Sequence, residues 1–291
     1  MKIKFPCYAK YLLWVIKNRK YFKNSYSLLP LFIYSSFYIP LRLLIGWKNK
    51  APQVSKIVLS LFKNKSIICP LPINENSNRK IGYCIIRDSS NFGPLWEICL
   101  EDFYNQLLLK AGMNVIDVGA HIGIYTIMAA SKIMPGGKIL SIEPEPRNYE
   151  QLIQNIKLNN LKNVITKNIA LSDYQGFGKL YLDSSSGGHS LISKKGRNIS
   201  IKVPIKTIDG LVRELNLKRV DLIKIDAEGS EIPILKGAEE TLKSNSQIKI
   251  VIATEHYKHQ DKEIEDLLGK KGFKVRKFKK EVIIAERNLI E

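Results

Sequence analysis

The stretch NVIDVGAHIGIYTIMAAS, residues 114–131, constrains this chain more than any other. A β-branched apolar run carries an acid at its end, Asp117; two glycines follow four apart, Gly119 and Gly123; a helical pattern then begins at once. Strand, tight glycine turn and helix form the first part of a βαβ unit. The chain is therefore expected to build a parallel sheet with a ligand at the carboxyl ends of its strands.

The pattern continues along the chain. Short apolar runs at 138–143, 163–171, 220–226 and 248–255 alternate with helical stretches at 147–160, 232–244 and 262–272, and two strands close the chain near 273–277 and 281–286. Runs that are apolar throughout belong to strands buried on both faces. Upstream, 81–88 reads as a strand and 95–112 as a helix ending at Gly112. Residues 172–205 break the alternation and read as one or two antiparallel hairpins. Their SSSGGHS loop (184–190) is either a surface loop or a lid over a substrate.

The glycine turn discriminates between cofactors. A pyrophosphate loop usually reads G-x-G-x-x-G, because backbone N–H groups must approach the phosphates closely. Here the spacing is G-x-x-x-G, and Asp117 would repel a phosphate. S-adenosylmethionine carries an ammonium and a sulfonium and no phosphate, so an acid attracts it. The next strand ends in Glu143, 26 residues on, whose carboxylate can accept both hydroxyls of a ribose. Asn168, or a backbone amide near Ala170, lies where the adenine is expected. The expected cofactor-binding set is Asp117, Gly119, Ala120, His121, Gly123, Glu143, Pro144, Asn168 and Ala170.

A second constellation lies in DLIKIDAEGSEIPILKG (221–237). Lys224 and Asp226 share a strand face, with Asp226 at the carboxyl edge. Three acids around one strand end exceed what a helix cap needs. Glu231 is assigned to capping, and Asp226 and Glu228 to the reacting side of the site. His256, at the end of the following strand beside Glu255, completes the expected catalytic set as a group able to remove a hydroxyl proton. An acid pair with a histidine could instead hold a divalent cation, or His256 could be a solvent-facing loop residue; no metal ligand is assigned. Cys7, Cys69, Cys84 and Cys99 are scattered, which argues against a zinc site or disulfide framework and for a reducing compartment.

The net charge of +19 is unevenly spread. Thirteen Lys or Arg and no acid precede Glu75, and the other 33 of the 46 bases face 27 acids. Residues 1–80 are read as a basic, aromatic, helical extension and 81–291 as the catalytic domain. The uncharged stretch 25–41 holds Pro30 and Pro40 and is short for a membrane span. Contact of residues 25–47 with an anionic membrane, packing on the main domain, and a true span are the competing readings. Nucleic acid would also use such a charge, but no recognition motif for it accompanies the lysines.

At these residues the chain resembles the FkbM-type methyltransferase family. The resemblance rests on VIDVGAHIGIYT (115–126), SIEPEPRNYEQLIQNI (141–156), NIALSDYQG (168–176), KTIDGL (206–211), VDLIKIDAEGSEIPILKGAEETL (220–242) and ATEH (253–256), and covers roughly 82–287. It implies a class I, Rossmann-like α/β fold: a seven-stranded mixed sheet with the last strand antiparallel. It also implies S-adenosylmethionine-dependent O-methylation of hydroxyls, often on sugars or natural products, with Asp117, Gly119 and Glu143 on the cofactor and Asp226 and Glu228 facing the substrate. With the basic extension, the expectation is a cytoplasmic enzyme, peripheral at the membrane through residues 1–65, acting on a small-molecule, glycan or lipid-linked acceptor. A membrane-associated scaffold without activity and a nucleic-acid methyltransferase are the alternatives.

Overall fold

The computed structural model describes residues 67–72, 81–86, 109–193, 197–254, 260–278 and 282–287. The chain divides into two units, Met1–Leu108 and Leu109–Glu291. In the first, β1 (Ile67–Pro72) and β2 (Ile81–Ile86) pair as an antiparallel hairpin with Cys69 opposite Cys84. The boundary expected at residue 81 coincides with the second strand of this hairpin. The stretches read as a membrane-facing segment (25–47) and as a helix (95–108) lie outside the described residues. Among those that are described, no helix is long and apolar enough to cross a membrane.

The second unit is built on a seven-stranded sheet. Its strands are β3 (Asn114–Val118), β4 (Lys138–Ile142), β5 (Val164–Lys167), β9 (Leu222–Ile225), β10 (Lys249–Ala253), β11 (Phe273–Phe278) and β12 (Val282–Arg287). Their order is β11-β12-β10-β9-β3-β4-β5. Every pairing from β5 to β10 is parallel; β12, inserted between β10 and β11, is antiparallel to both. The parallel strands are those expected from the alternation of runs, and the antiparallel β12 completes the class I methyltransferase-like arrangement that the family resemblance implies. It also brings the carboxyl ends of β4, β3 and β9 side by side.

Continuous burial of β9 and of four of the five residues in β3 and in β4 explains their unbroken apolar runs. Ile116, Ile142, Ile223, Ile225, Ile250 and Ile252 anchor one core, each contributing roughly 1.5–3 kcal/mol by leaving water. Around the sheet lie α1 (Ile124–Lys132), α2 (Pro146–Leu158), α3 (Ile208–Glu214), α4 (Glu231–Lys236), α5 (Glu239–Ser244) and α6 (Gln260–Lys270). The α1 stripe is nearly all buried, whereas α2 and α6 are amphipathic, with one face in water.

Two expected elements are divided. The run 163–171 splits into β5 and β6 (Ala170–Leu171), which belong to different sheets. Between them Asn168 Nδ2 donates to Glu143 O and Pro144 O, at 2.8 and 3.0 Å, and holds the chain against the end of β4. The helix expected over 232–244 breaks at Gly237, where a Cβ would collide with the carbonyl oxygen of Ser172. Asp209 of α3 then takes over as the cap of α5, accepting from Glu240 N and Thr241 N at 3.0 and 2.8 Å. The insertion at 172–205 forms the expected hairpin, β7 (Gly176–Tyr181) with β8 (Ser200–Lys206), and β6 adds to β8 in parallel.

Candidate active site

A polar rung crosses the apolar sheet. Lys224, Asp117 and Ser141 stand opposite one another on β9, β3 and β4. Asp117 has no solvent exposure; its Oδ2 accepts from Thr126 Oγ1 at 2.6 Å, and its Oδ1 lies 3.3 Å from Lys224 Nζ. Thr126 Oγ1 is also 2.9 Å from Ser141 Oγ. Lys224 Nζ donates to Gly119 O at 2.9 Å and stands 3.6 Å from Asp226 Oδ2. The cation beside Asp117 is thus the protein's own. A buried carboxylate needs such a partner, because its desolvation is otherwise uncompensated.

Above this rung the β3–α1 loop turns through left-handed backbone at Gly119, His121 and Gly123, with φ of 72°, 50° and 89°. A Cβ at Gly119 would overlap Asp226 O, and one at Gly123 would meet Leu152 Cδ1 at 2.5 Å. Gly123 therefore lets α1 approach α2 closely. Four N–H groups of the loop are already taken: Gly119 N and Ala120 N donate to Ile142 O, Gly123 N to Ala120 O, and His121 N to Glu143 Oε2 at 2.8 Å. A pyrophosphate needs those donors and would meet acids instead. The acceptor-rich set fits a cationic, phosphate-free group, S-adenosylmethionine.

Glu143 follows the last residue of β4. Its Oε1 accepts from Glu145 N at 3.0 Å and from Asn148 Nδ2 at 3.5 Å. Burial pushes its carboxyl up to about 7, against the opposing pull of the N–H groups of Glu145 and His121. Pro144 and Asn168 brace this corner through the Asn168 amide, and Ala170 is buried in β6.

At the end of β9, Asp226 N donates to Val118 O at 3.1 Å, and the Asp226 side chain is about one-third exposed (35%). The turn behind it passes through Glu228, φ 52°, and Gly229, φ 108°. Glu231, 1% exposed, folds its carboxylate back so that Oε1 accepts from Ala227 N and Gly229 N, at 3.0 and 3.2 Å. Glu231 thus fastens the turn in place of the helix-capping role expected of it, and the N-cap residue of α4, Ser230, makes no side-chain cap hydrogen bond. Burial raises the Glu231 pKa. Among the described residues, four non-glycine residues have left-handed backbone; two are asparagines, Asn160 and Asn216, and the other two are His121 and Glu228. Strain in a histidine and a glutamate is costly, and here it falls on the two turns that frame the site.

The fold thus gathers Asp117, Gly119, Ala120, His121, Gly123 and Glu143 around one loop and brings Asp226 against it. His256 and Glu255 lie outside the described residues. Among the described residues, no group of three His, Cys, Asp or Glu is arranged to hold a metal ion. Thr126, Ser141, Asn148, Ser186 and Ser190 join the site without having been singled out by sequence. Thr126 and Ser141 carry a faint signal, as polar residues inside apolar runs. Ser186 and Ser190 lie in the SSSGGHS loop, read from sequence as a surface loop or a lid with neither serine marked within it.

Residues 117–275 match the Methyltransferase FkbM domain model. The chain is 29% identical over 213 residues to methyltransferase sdnD of Sordaria araneosa, covering 62% of this chain and 80% of that one. It is 27% identical over 176 residues to hexuronic acid methyltransferase AglP of Haloferax volcanii, covering 58% and 67%. The crystal structure of methyltransferase FkbM from Methylobacillus flagellatus aligns with a TM-score of 0.43 at 16% identity, over 69% of this chain and 56% of that one. The chain belongs to the FkbM methyltransferase family, whose methyl donor is S-adenosylmethionine.

Proposed function

We propose that the protein methylates a hydroxyl oxygen on a sugar, a glycan or a lipid-linked small molecule. The observation that carries this reading is the placement of Asp226. It is a partly exposed carboxylate beside the cofactor loop, with its backbone against Gly119 and Lys224 Nζ 3.6 Å behind it. The cofactor supplies an electrophilic methyl group on a sulfonium.

The protein's part is orientation and proton removal. Gly119 and Glu143 hold the cofactor side, and the buried Asp117–Lys224 pair fixes the loop from below. Asp226 and Glu228 orient the acceptor hydroxyl, and Asp226 takes its proton. Lys224 orients the Asp226 carboxylate from the inner side. The hexuronic acid named for one relative agrees with a sugar acceptor.

Calorimetric titration with S-adenosylmethionine and NAD, followed by transfer of labelled methyl to acceptor extracts, tests the reading. Asp226→Ala and Glu228→Ala should lose transfer while still binding S-adenosylmethionine. Unchanged transfer in both variants would remove their assigned role.

A further inference from the structure

The segment between β7 and β8 touches both turns of the site. Ser186 Oγ lies 2.9 Å from His121 Nε2, and Ser186 O accepts from Asn148 Nδ2 at 2.8 Å. Four residues on, Ser190 Oγ donates to Glu228 O at 2.7 Å and accepts from Ile192 N at 3.0 Å. One end is thus bonded to the cofactor loop and α2, the other to the turn after β9.

The segment is also braced internally. Asp183 Oδ1 accepts from Ser185 N, Asp183 N donates to His189 Nδ1, and Arg197 Nε pairs with Asp183 Oδ2 at 2.9 Å. Tyr181 and Ser190 exchange both backbone hydrogen bonds. A solvated serine-rich loop would need neither these braces nor a serine that is only 1% exposed.

We propose that Ser190 is a positioning residue for methyl transfer. It holds the Glu228 peptide in its left-handed conformation, and the segment Asp183–Ser190 couples that turn to the state of the cofactor loop. This rests on the reading of Glu228 as facing the acceptor. Among the described residues, three side chains fasten the turn: Glu231 through Ala227 N and Gly229 N, Gln260 Nε2 through Gly229 O at 3.0 Å, and Ser190 through Glu228 O. Of these tethers, Ser190's leads back to His121. A left-handed glutamate needs fixed partners to persist, so losing one tether should free the turn locally and leave the core intact.

Hydrogen exchange of the full chain, with and without saturating S-adenosylhomocysteine, tests the coupling. The nucleoside should slow exchange in a peptide spanning 224–232 of the wild type. That slowing should shrink roughly fivefold in Ser190→Ala, the worth of one hydrogen bond, and likewise in Ser186→Ala. Ser190→Thr, which keeps the hydroxyl, should restore it. Ser186 is only partly buried, so its variant keeps the test decisive should Ser190→Ala fail to fold. Binding with equal protection in the wild type and the alanine variants would overturn the coupling alone. Absence of any nucleoside binding by the wild type would overturn the cofactor reading together with it.

Discussion

Gly119 packs against the carbonyl oxygen of Asp226 with no room between them for a Cβ. The cofactor loop and the turn proposed to hold the acceptor therefore meet backbone to backbone, and the tolerance at this contact is small. Gly119 also has left-handed backbone, φ 72°. Gly119→Ala should cost roughly 2 kcal/mol or more, from left-handed strain and the collision together. Affinity for S-adenosylmethionine should fall at least about tenfold. Thermal unfolding and calorimetry check both. Wild-type values in the variant would mean that the two turns do not meet this closely.

Asp117 and Lys224 form the pair that supports this contact from inside. Lys224→Met leaves a fully buried carboxylate without its cation, and the expected loss is roughly 3–5 kcal/mol. Adding Asp117→Asn should recover part of that loss, because the uncompensated charge is gone. Denaturant unfolding of the wild type, both single variants and the double variant measures the coupling. Additive losses would show that the pair contributes no interaction energy.

Much of this arrangement is legible in the sequence. The buried runs of β3, β4 and β9 display their period, and Asp117, Gly119, Glu143 and Asp226 are the chemistry-bearing residues at the ends of those runs. The positions that escaped are set by long-range geometry. The break at Gly237 depends on Ser172, 65 residues earlier, and the cap that restarts the helix comes from Asp209. The run through 163–171 divides because Asn168 is bound to the end of β4. Asp117 looks like a ligand for a cofactor cation, yet across the sheet it meets Lys224, a pairing that strand order alone decides. Ser186 and Ser190 sit in a stretch whose composition is that of any loop.

Glu143 gives the site a pH dependence of known sign. Its folded-state carboxyl is raised to about 7 by burial, above its ordinary value. The native state therefore holds more protons than the unfolded chain between the ordinary glutamate range and about pH 7, and stability falls as pH rises through that window. Ribose hydroxyls donate to the ionised form, so S-adenosylhomocysteine should bind more tightly as pH rises through the same window. Glu143→Gln should flatten both profiles. A variant that keeps the wild-type slopes would assign the titration to another group.

The charge of residues 1–65, thirteen bases and no acid, predicts flotation of the full chain with vesicles containing phosphatidylserine and little recovery with phosphatidylcholine alone. Raising the salt should release it. Equal recovery with both lipids would remove the electrostatic account of this region.

The central claim is methyl transfer to a hydroxyl oxygen beside Asp226. Its most direct measurement incubates the protein with methyl-labelled S-adenosylmethionine and cell glycan and lipid extracts, then identifies the atom that carries the label. The account predicts label in a methyl ether, absent with Asp226→Asn, which still binds the cofactor. Label on nitrogen or carbon, or undiminished ether labelling by the variant, would contradict it.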